Sequence, residues 1–134
     1  MDDAPRNELQ SGVTGSDDVV LDPALVAQLR EMAAAGRGDF VSRVAALYCE
    51  HAPKALVDIV AAYAADDAQA MASAAHALKS MSLNAGAKRV AALAGAIEKR
   101  GREAGSTVHR AEIAQLEAAI AEASAELGQM AQAA

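Results

Sequence analysis

The chain has 134 residues, of which 53% are hydrophobic and only 2% aromatic, and its formal net charge is −6. This length fits one domain, and the abundance of alanine, the strongest helix former, predicts an all-α fold. Charges interrupt every apolar run before the ~20 residues needed to cross a bilayer, and no export signal is evident, so we expect no membrane partner and a cytoplasmic protein. The single cysteine, Cys49, cannot form an internal disulfide.

The charge is distributed unevenly along the chain. Residues 1–22 contain six acidic residues and one basic residue, whereas residues 79–110 contain seven basic residues and two acidic ones. The basic part would attract an acidic partner surface or a phosphoryl group. Nucleic acid is the competing interpretation, but the aromatic stacking residues and dense basic runs that favour it are missing, so we expect no nucleic-acid partner.

The first residues differ in composition from the rest. Residues 1–20 are polar, acidic and rich in Gly, Ser and Asp, which predicts a flexible acidic tail before a helical domain at 21–134. Asp22 and Pro23 are the residue types preferred at an N-cap and at the first helical position. A short first helix is therefore expected to begin here and to end at Gly36–Gly38.

A long helical pattern follows, for which Asp39 is the expected N-cap. Pro53 lies inside this second helix and is expected to cause a kink or a brief break, because proline removes a backbone hydrogen bond. Cys49 and His51 are two residues apart and do not share a helix face, which argues against a metal pair. His51 is interpreted as a surface or partly packed residue.

The third helix is expected to begin at Asp66 or Asp67 and to close at Gly86. Helical geometry gathers an apolar stripe around Leu78 and places His76 roughly 160° away from it, on the opposite side. We therefore expect His76 to be exposed. An exposed imidazole is partly unprotonated near neutral pH and can act as a nucleophile.

The residues one turn from His76 are small or charged. Lys79 neighbours the histidine on the helix and can offer a positive charge to an anionic group. The nearby positions expected to form a low, open docking surface for another protein are Ala72, Ser73, Ser80 and the exposed Leu83. The alternative is a solvent-exposed helix face without a role.

The fourth helix has apolar residues at i, i+3, i+4 and i+7, namely Val90, Leu93, Ala94 and Ile97. It is expected to end in the basic run Lys99–Arg102, with a loop at 101–105. Ser106 or Thr107 is the expected cap of the last helix. Apolar residues with alternating spacings of three and four follow: Ile113, Leu116, Ile120, Ala123, Leu127 and Met130.

That last seam could close a bundle in cis or form a dimeric coiled coil. The bundle is favoured because every other long helix also has one apolar stripe to cover. The sequence therefore predicts an antiparallel four-helix bundle with a short N-terminal helix packed over one end. The expected core residues are Leu78, Met81, Leu93, Ile97, Ile59, Val60, Leu116 and Ile120.

Residues 76–87, H-A-L-K-S-M-S-L-N-A-G-A, resemble the signature H-x-L-K-G-x-S-x-x-x-G-A of histidine-containing phosphotransfer (HPt) domains. The matching positions are His76, Leu78, Lys79, Ser82, Gly86 and Ala87. The resemblance extends over residues 21–130. One position departs from the signature, since Ser80 stands where the family usually has glycine. Docking is expected to survive this change because serine is small.

The resemblance implies a phosphocarrier without kinase activity of its own. His76 would accept a phosphoryl group from the aspartyl phosphate of a response-regulator receiver domain and pass it to another receiver, with Lys79 supporting the charge. The implied partners are receiver domains and a hybrid histidine kinase. The chain is expected to need no cofactor or metal, because the receiver supplies Mg²⁺, and to be monomeric. It contains no phosphate-binding glycine-rich loop and no cluster of metal ligands.

Two other classes are considered. One is a helical adaptor that binds receivers without being phosphorylated, but the presence of His76 and Lys79 argues against it. The other is the phosphorylatable N-terminal domain of a chemotaxis-type kinase, which shares this bundle. A sequence that starts at Met1 and contains no kinase part favours a free-standing protein over this second class.

Overall fold

The computed structural model describes residues 19–103 and 107–133. Within these ranges the chain forms five α-helices and no strand: α1 Pro23–Met32, α2 Gly38–Ala64, α3 Ala68–Ala85, α4 Lys88–Arg102 and α5 Arg110–Ala133. A π-helical segment, Ala33–Arg37, joins α1 to α2. The predicted tail at 1–20 and the alternative cap Ser106 lie outside the described residues, except for Val19 and Val20.

Helices α2 to α5 form the predicted four-helix bundle. Helix α2 packs on α3, α3 on α4, α4 on α5 and α5 back on α2, which closes the ring. Only residues 65–67 connect α2 to α3, and only residues 86–87 connect α3 to α4. Connections this short make consecutive helices antiparallel neighbours.

The core is built largely from alanine and aliphatic side chains. The buried residues of α2 alternate spacings of four and three and are Val41, Ala45, Tyr48, Ala52, Ala55, Ile59 and Ala62. The α5 seam enters the same core through Leu116, Ile120, Ala123 and Leu127. The seam on α5 therefore closes the bundle within one chain, as predicted.

Most of the predicted core residues are buried, and Met81 and Leu93 are partly buried against the core. Val60 is the exception, since 45% of it is exposed. It follows Ile59, which is fully buried, and consecutive residues on a helix point about 100° apart. The narrow seam of α2 accommodates Ile59 and leaves Val60 at the surface, so the prediction for Val60 is wrong.

Helix α1 covers one end of the bundle. Its N-cap is Asp22, whose carboxylate accepts a hydrogen bond from the Ala24 backbone N–H at 3.0 Å. The backbone N–H of Asp22 donates to the carbonyl of Gly86 at 2.7 Å, which ties α1 to the turn between α3 and α4. Gly86 has φ = 76°, and any β-carbon on it would collide with Leu25. This turn therefore requires glycine for both its backbone conformation and its space.

Two helix starts differ from the prediction. Helix α2 begins at Gly38, and Asp39 lies in its first turn rather than at the cap, where its charge still favours the positive end of the helix dipole. Helix α5 begins at Arg110, so Thr107 is not its cap. Instead, the backbone N–H of His109 donates to Oε1 of Glu112 at 2.9 Å, which satisfies one amide at this helix start.

The limits of α2, α3 and α4 can also be compared with the prediction. Asp67, one of the two predicted starts, caps α3 by accepting from the Ala70 backbone N–H at 3.1 Å, and Gly86 closes the helix as predicted. Helix α2 continues through Pro53 without a break, because buried Ala52 and Ala55 on either side hold it against the core. Helix α4 extends to Arg102, so the loop expected from residue 101 begins later. In the described ranges, no helix is long and apolar enough to cross a membrane.

Candidate functional site

His76 lies in the middle of α3 with its side chain 54% exposed. Leu78, two residues on, is fully buried in the core. The two side chains therefore lie on opposite sides of the helix, as the sequence predicts. The apolar stripe anchors α3 in the bundle and holds the imidazole at the surface.

Glu98 on α4 brings the polar groups around His76 together. Its Oε2 lies 2.8 Å from Nδ1 of His76, and its Oε1 lies 3.2 Å from Nζ of Lys79. Arg102, one turn further along α4, places Nε and Nη2 each 3.2 Å from Oε2. We refer to His76, Lys79, Glu98 and Arg102 as the α3–α4 polar cluster.

The carboxylate of Glu98 is ionised in this cluster. Its side chain is only 13% exposed, and the loss of solvent opposes ionisation, but the hydrogen bonds from Lys79, His76 and Arg102 outweigh this effect and hold the pKa of Glu98 below its usual range. An ionised carboxylate can only accept hydrogen bonds. The Nδ1 atom of His76 must therefore carry the proton and donate it, which leaves the lone pair of a neutral ring on Nε2.

The surface beside His76 is built from α3. Ser73 and Ser80 are exposed, and Leu83, two turns from the histidine on the same face, is 59% exposed. Ala72 is fully buried and lies against Gly101 of α4. Ala72 therefore cannot contribute to a docking surface, and this part of the predicted surface is wrong. The side chain of Ala72 lies between α3 and α4 rather than on the exposed face of α3.

Ser82, another residue of the motif, lies in the core and not at the exposed site. It is fully buried, and its Oγ is 2.8 Å from the Oη of Tyr48 on α2. Burial raises the pKa of Tyr48 to about 12, against the opposing effect of this hydrogen bond. The pair satisfies two hydroxyl groups inside an otherwise apolar core and links α2 to the helix that carries the histidine.

One feature of the sequence around Glu98 indicates a role for this residue, and the prediction did not use it. Among the charged residues of α4, Glu98 is the only acid and is accompanied by five bases. It also directly follows the buried Ile97, which puts it at the edge of the apolar face. An acid at such an edge, with Arg102 at i+4, is a candidate partner for groups on the neighbouring helix.

The remaining His and Cys residues in the described ranges lie outside the α3–α4 polar cluster. His51 and His109 are both exposed, and the thiol of Cys49 lies 3.5 Å from the Ser124 carbonyl oxygen of α5. Across residues 19–103 and 107–133, no group of three or more His, Cys, Asp or Glu side chains is placed to hold a metal ion.

A four-helix bundle that holds a histidine at the surface, opposite the buried apolar stripe of its own helix and beside an ionised carboxylate, is the architecture of a histidine carrier protein. The family model of the Hpt domain matches residues 43–126, which is more than half of the chain. The chain therefore belongs to the Hpt domain family and has the phosphorelay histidine phosphotransfer role of that family in two-component signalling. Hpt proteins are phosphocarriers that interact with response-regulator receiver domains.

A solved structure is similar over almost its whole length. It is the crystal structure of histidine-containing phosphotransfer protein B (HptB) from Pseudomonas aeruginosa PAO1, with 26% sequence identity and a TM-score of 0.74. The similarity covers 86% of this chain and 96% of that chain. A comparison with curated proteins found no match.

Proposed function

We propose that His76 is the residue that carries the phosphoryl group. It would accept the group from the aspartyl phosphate of one receiver domain and deliver it to the aspartate of another. The observation that carries this proposal is the 2.8 Å contact between Nδ1 of His76 and the ionised carboxylate of Glu98. This contact makes Nε2 the unprotonated nitrogen, and therefore the nucleophile, of an exposed ring.

The transfer can be written without any loss of a proton. The Nε2 lone pair attacks phosphorus, and the bond between phosphorus and the aspartyl oxygen breaks, so that the carboxylate leaves with the electron pair. The product ring carries the phosphoryl group on Nε2 and the original proton on Nδ1, and is therefore a cation. Glu98 stands 2.8 Å from that Nδ1 and stabilises the positive charge as it develops.

Lys79 has a different task in this proposal. Its ammonium group is 3.2 Å from Oε1 of Glu98 and its side chain is 35% exposed, so it can turn towards an arriving phosphoryl group. It neutralises part of the charge on the phosphoryl oxygens. The Mg²⁺ ion that phosphoryl transfer commonly uses is supplied by the receiver, not by this chain.

The proposed docking surface consists of Ser73, Ser80 and Leu83 around His76. The small side chains let a receiver approach the ring, and Leu83, at 59% exposure, supplies apolar contact area. A hybrid histidine kinase is the proposed source of the phosphoryl group, through its receiver. We propose that the protein acts as a monomer in the cytoplasm. We also propose that it has no kinase activity of its own, because its sequence contains no phosphate-binding loop.

Phosphoryl transfer in vitro tests this function. The protein is incubated with a radiolabelled phospho-receiver from the same organism, beside the variants His76→Gln, His51→Gln and His109→Gln. We expect label that is stable to base, labile to acid and absent only from His76→Gln. Receiver binding without any label in the wild-type protein would instead support the non-phosphorylated adaptor.

A further inference from the structure

The edge between α3 and α4 consists of three successive levels of contact. Ala72 meets Gly101 at the first level, His76 meets Glu98 at the second, and the stem of Lys79 crosses Gly95 at the third. Each step is one helical turn along both antiparallel helices. The two glycines therefore flank Glu98, three residues to either side.

The two glycine contacts differ in what surrounds them. A β-carbon added to Gly101 would lie 2.9 Å from the carbonyl oxygen of Ala68 and 3.0 Å from the β-carbon of Ala72. These atoms belong to the backbone or are bonded to it, and cannot move unless the helices separate. A β-carbon on Gly95 would meet only Cδ of Lys79, at 3.3 Å, and that flexible side chain can give way.

The close approach at Gly101 occurs one turn from the hydrogen bond that orients His76. Glu98 must span the gap between the helices to reach Nδ1 at 2.8 Å, and the same carboxylate also meets Lys79 at 3.2 Å. Any increase in the helix separation lengthens both contacts together. Glycine is, apart from proline, the least favourable residue inside a helix, but here it brings the two backbones close together.

We propose that Gly101 is a positioning residue for the phosphotransfer histidine. By admitting α4 against Ala72 and Ala68, it sets the spacing at which Glu98 holds Nδ1 of His76 and selects Nε2 as the free nitrogen. This inference rests on the proposed function only for its effect on the transfer rate. The orientation of the ring is a property of the unphosphorylated protein and is measured separately.

Gly101→Ala tests the spacing directly. Imidazole ¹⁵N NMR of the labelled protein, with the His76 signals assigned by their loss in His76→Gln, reports which nitrogen carries the proton. We expect wild-type His76 to be protonated on Nδ1 when neutral. In Gly101→Ala we expect His76 to be a mixture of the Nδ1–H and Nε2–H tautomers, as we also expect in Glu98→Gln. We expect phosphorylation of Gly101→Ala to be about tenfold slower than that of the wild-type protein.

Two control variants separate spacing from helix propensity. Gly128→Ala on α5 adds a β-carbon with no atom within 4 Å, and we expect it to leave both the tautomer and the transfer rate unchanged. Gly95→Ala is on the same helix as Gly101 but displaces only the Lys79 stem, so we expect the His76 tautomer to be retained.

Ala72→Ser adds an atom to the same contact from the α3 side and replaces Gly101→Ala as the test if that variant does not fold. We expect the same change in the His76 tautomer. A folded Gly101→Ala or Ala72→Ser protein with the wild-type ¹⁵N pattern would overturn the proposal. The ¹⁵N pattern could also change although neither the wild-type protein nor any variant is phosphorylated by a receiver. That result would support the positioning role of Gly101 and contradict the proposed function of His76.

Discussion

His76 and Glu98 are 22 residues apart in the sequence, yet Nδ1 of the histidine and Oε2 of the glutamate are separated by only 2.8 Å. The contact joins α3 to α4 at the surface of the bundle. It gives an exposed ring a defined proton position, which an isolated histidine on a helix does not have. The chemistry proposed for the protein depends on this one pairing.

Replacing the carboxylate of Glu98 tests its electrostatic part in the reaction. Glu98→Gln keeps the shape of the side chain but removes the charge that stabilises the phosphorylated, cationic ring. We expect the initial rate of transfer from a phospho-receiver to fall about tenfold or more, equivalent to ~1.4 kcal/mol in the barrier. The rate is measured by rapid quenching and quantification of labelled protein.

The matched control for that substitution is Glu122→Gln. Glu122 lies on α5 and pairs with Arg89 at 2.8 Å, outside the α3–α4 polar cluster. Its loss is expected to leave the rate at the wild-type value. Equal rates for Glu98→Gln and Glu122→Gln would show that the charge of Glu98 has no part in the transfer.

Lys79→Ala is expected to slow transfer about fivefold without abolishing it. The ammonium group supports the phosphoryl oxygens, but the nucleophile and its orienting carboxylate are still present, so the reaction continues. Single-turnover kinetics with a saturating phospho-receiver measure the effect. Lys54→Ala, which removes an exposed lysine paired with Glu50 on α2, is the control, and a similar rate in both variants would mean that Lys79 has no special role.

The docking surface is tested by changing the size of the side chain at position 80. Ser80→Gly restores the residue usual in the family and should bind a receiver as well as the wild-type protein does. Ser80→Trp fills the space one turn from His76, and we expect Kd for the receiver to rise at least about tenfold, or ~1.4 kcal/mol. Titration calorimetry measures both values.

Glu117→Trp places the same bulk on an exposed position of α5 and should leave receiver binding unchanged. If Ser80→Trp binds as tightly as Glu117→Trp, the receiver docks on another face of the bundle.

The buried pair of Tyr48 and Ser82 is expected to stabilise the fold rather than the reaction. Either Tyr48→Phe or Ser82→Ala leaves one buried hydroxyl group without its partner, so each should lower the free energy of unfolding by about 1–2 kcal/mol. Denaturant titrations measure the loss. The double variant should lose less than the sum of the two single losses, and strict additivity would show that the hydroxyl groups do not interact.

The same pair has a predictable pH dependence. Burial raises the pKa of Tyr48 from 10.0 to about 12 in the folded protein. The neutral hydroxyl of Tyr48 therefore contributes fully to the free energy of unfolding below pH 10.0, and this contribution is lost as the pH rises through about 12. The wild-type protein should therefore lose stability over this interval relative to Tyr48→Phe. A constant difference between the two proteins would contradict the assignment.

Features determined by neighbouring residues were predicted well from the sequence. The caps at Asp22 and Asp67 and the closing glycine at Gly86 depend on backbone chemistry within a few residues, and the structure contains all three. The exposure of His76 follows from its angle to the apolar stripe of its own helix. The alternating seam of α5 likewise predicted the buried side chains Leu116, Ile120, Ala123 and Leu127, while Ile113 and Met130 at its two ends are only partly buried.

Features determined by other helices were not predicted. Ala72 and Ser73 are equally small, but the packing of α4 buries the first and leaves the second exposed. Glu98 was missed because nothing local to His76 indicates which residue of α4 will lie beside it. The prediction that Asp39 is the N-cap failed because the turn at Gly36, with φ = 90°, lets the next helix begin at Gly38, two residues before the start that a cap at Asp39 implies.

The identity of the phosphorylated nitrogen tests whether Glu98 orients His76 for phosphoryl transfer. The protein is labelled with ¹⁵N at histidine, phosphorylated by a phospho-receiver, and examined by NMR for the imidazole nitrogen that couples to ³¹P. We expect coupling to Nε2 of His76, with the Nδ1 proton retained against Glu98. Coupling to Nδ1 of His76, or to either nitrogen of His51 or His109, would contradict it.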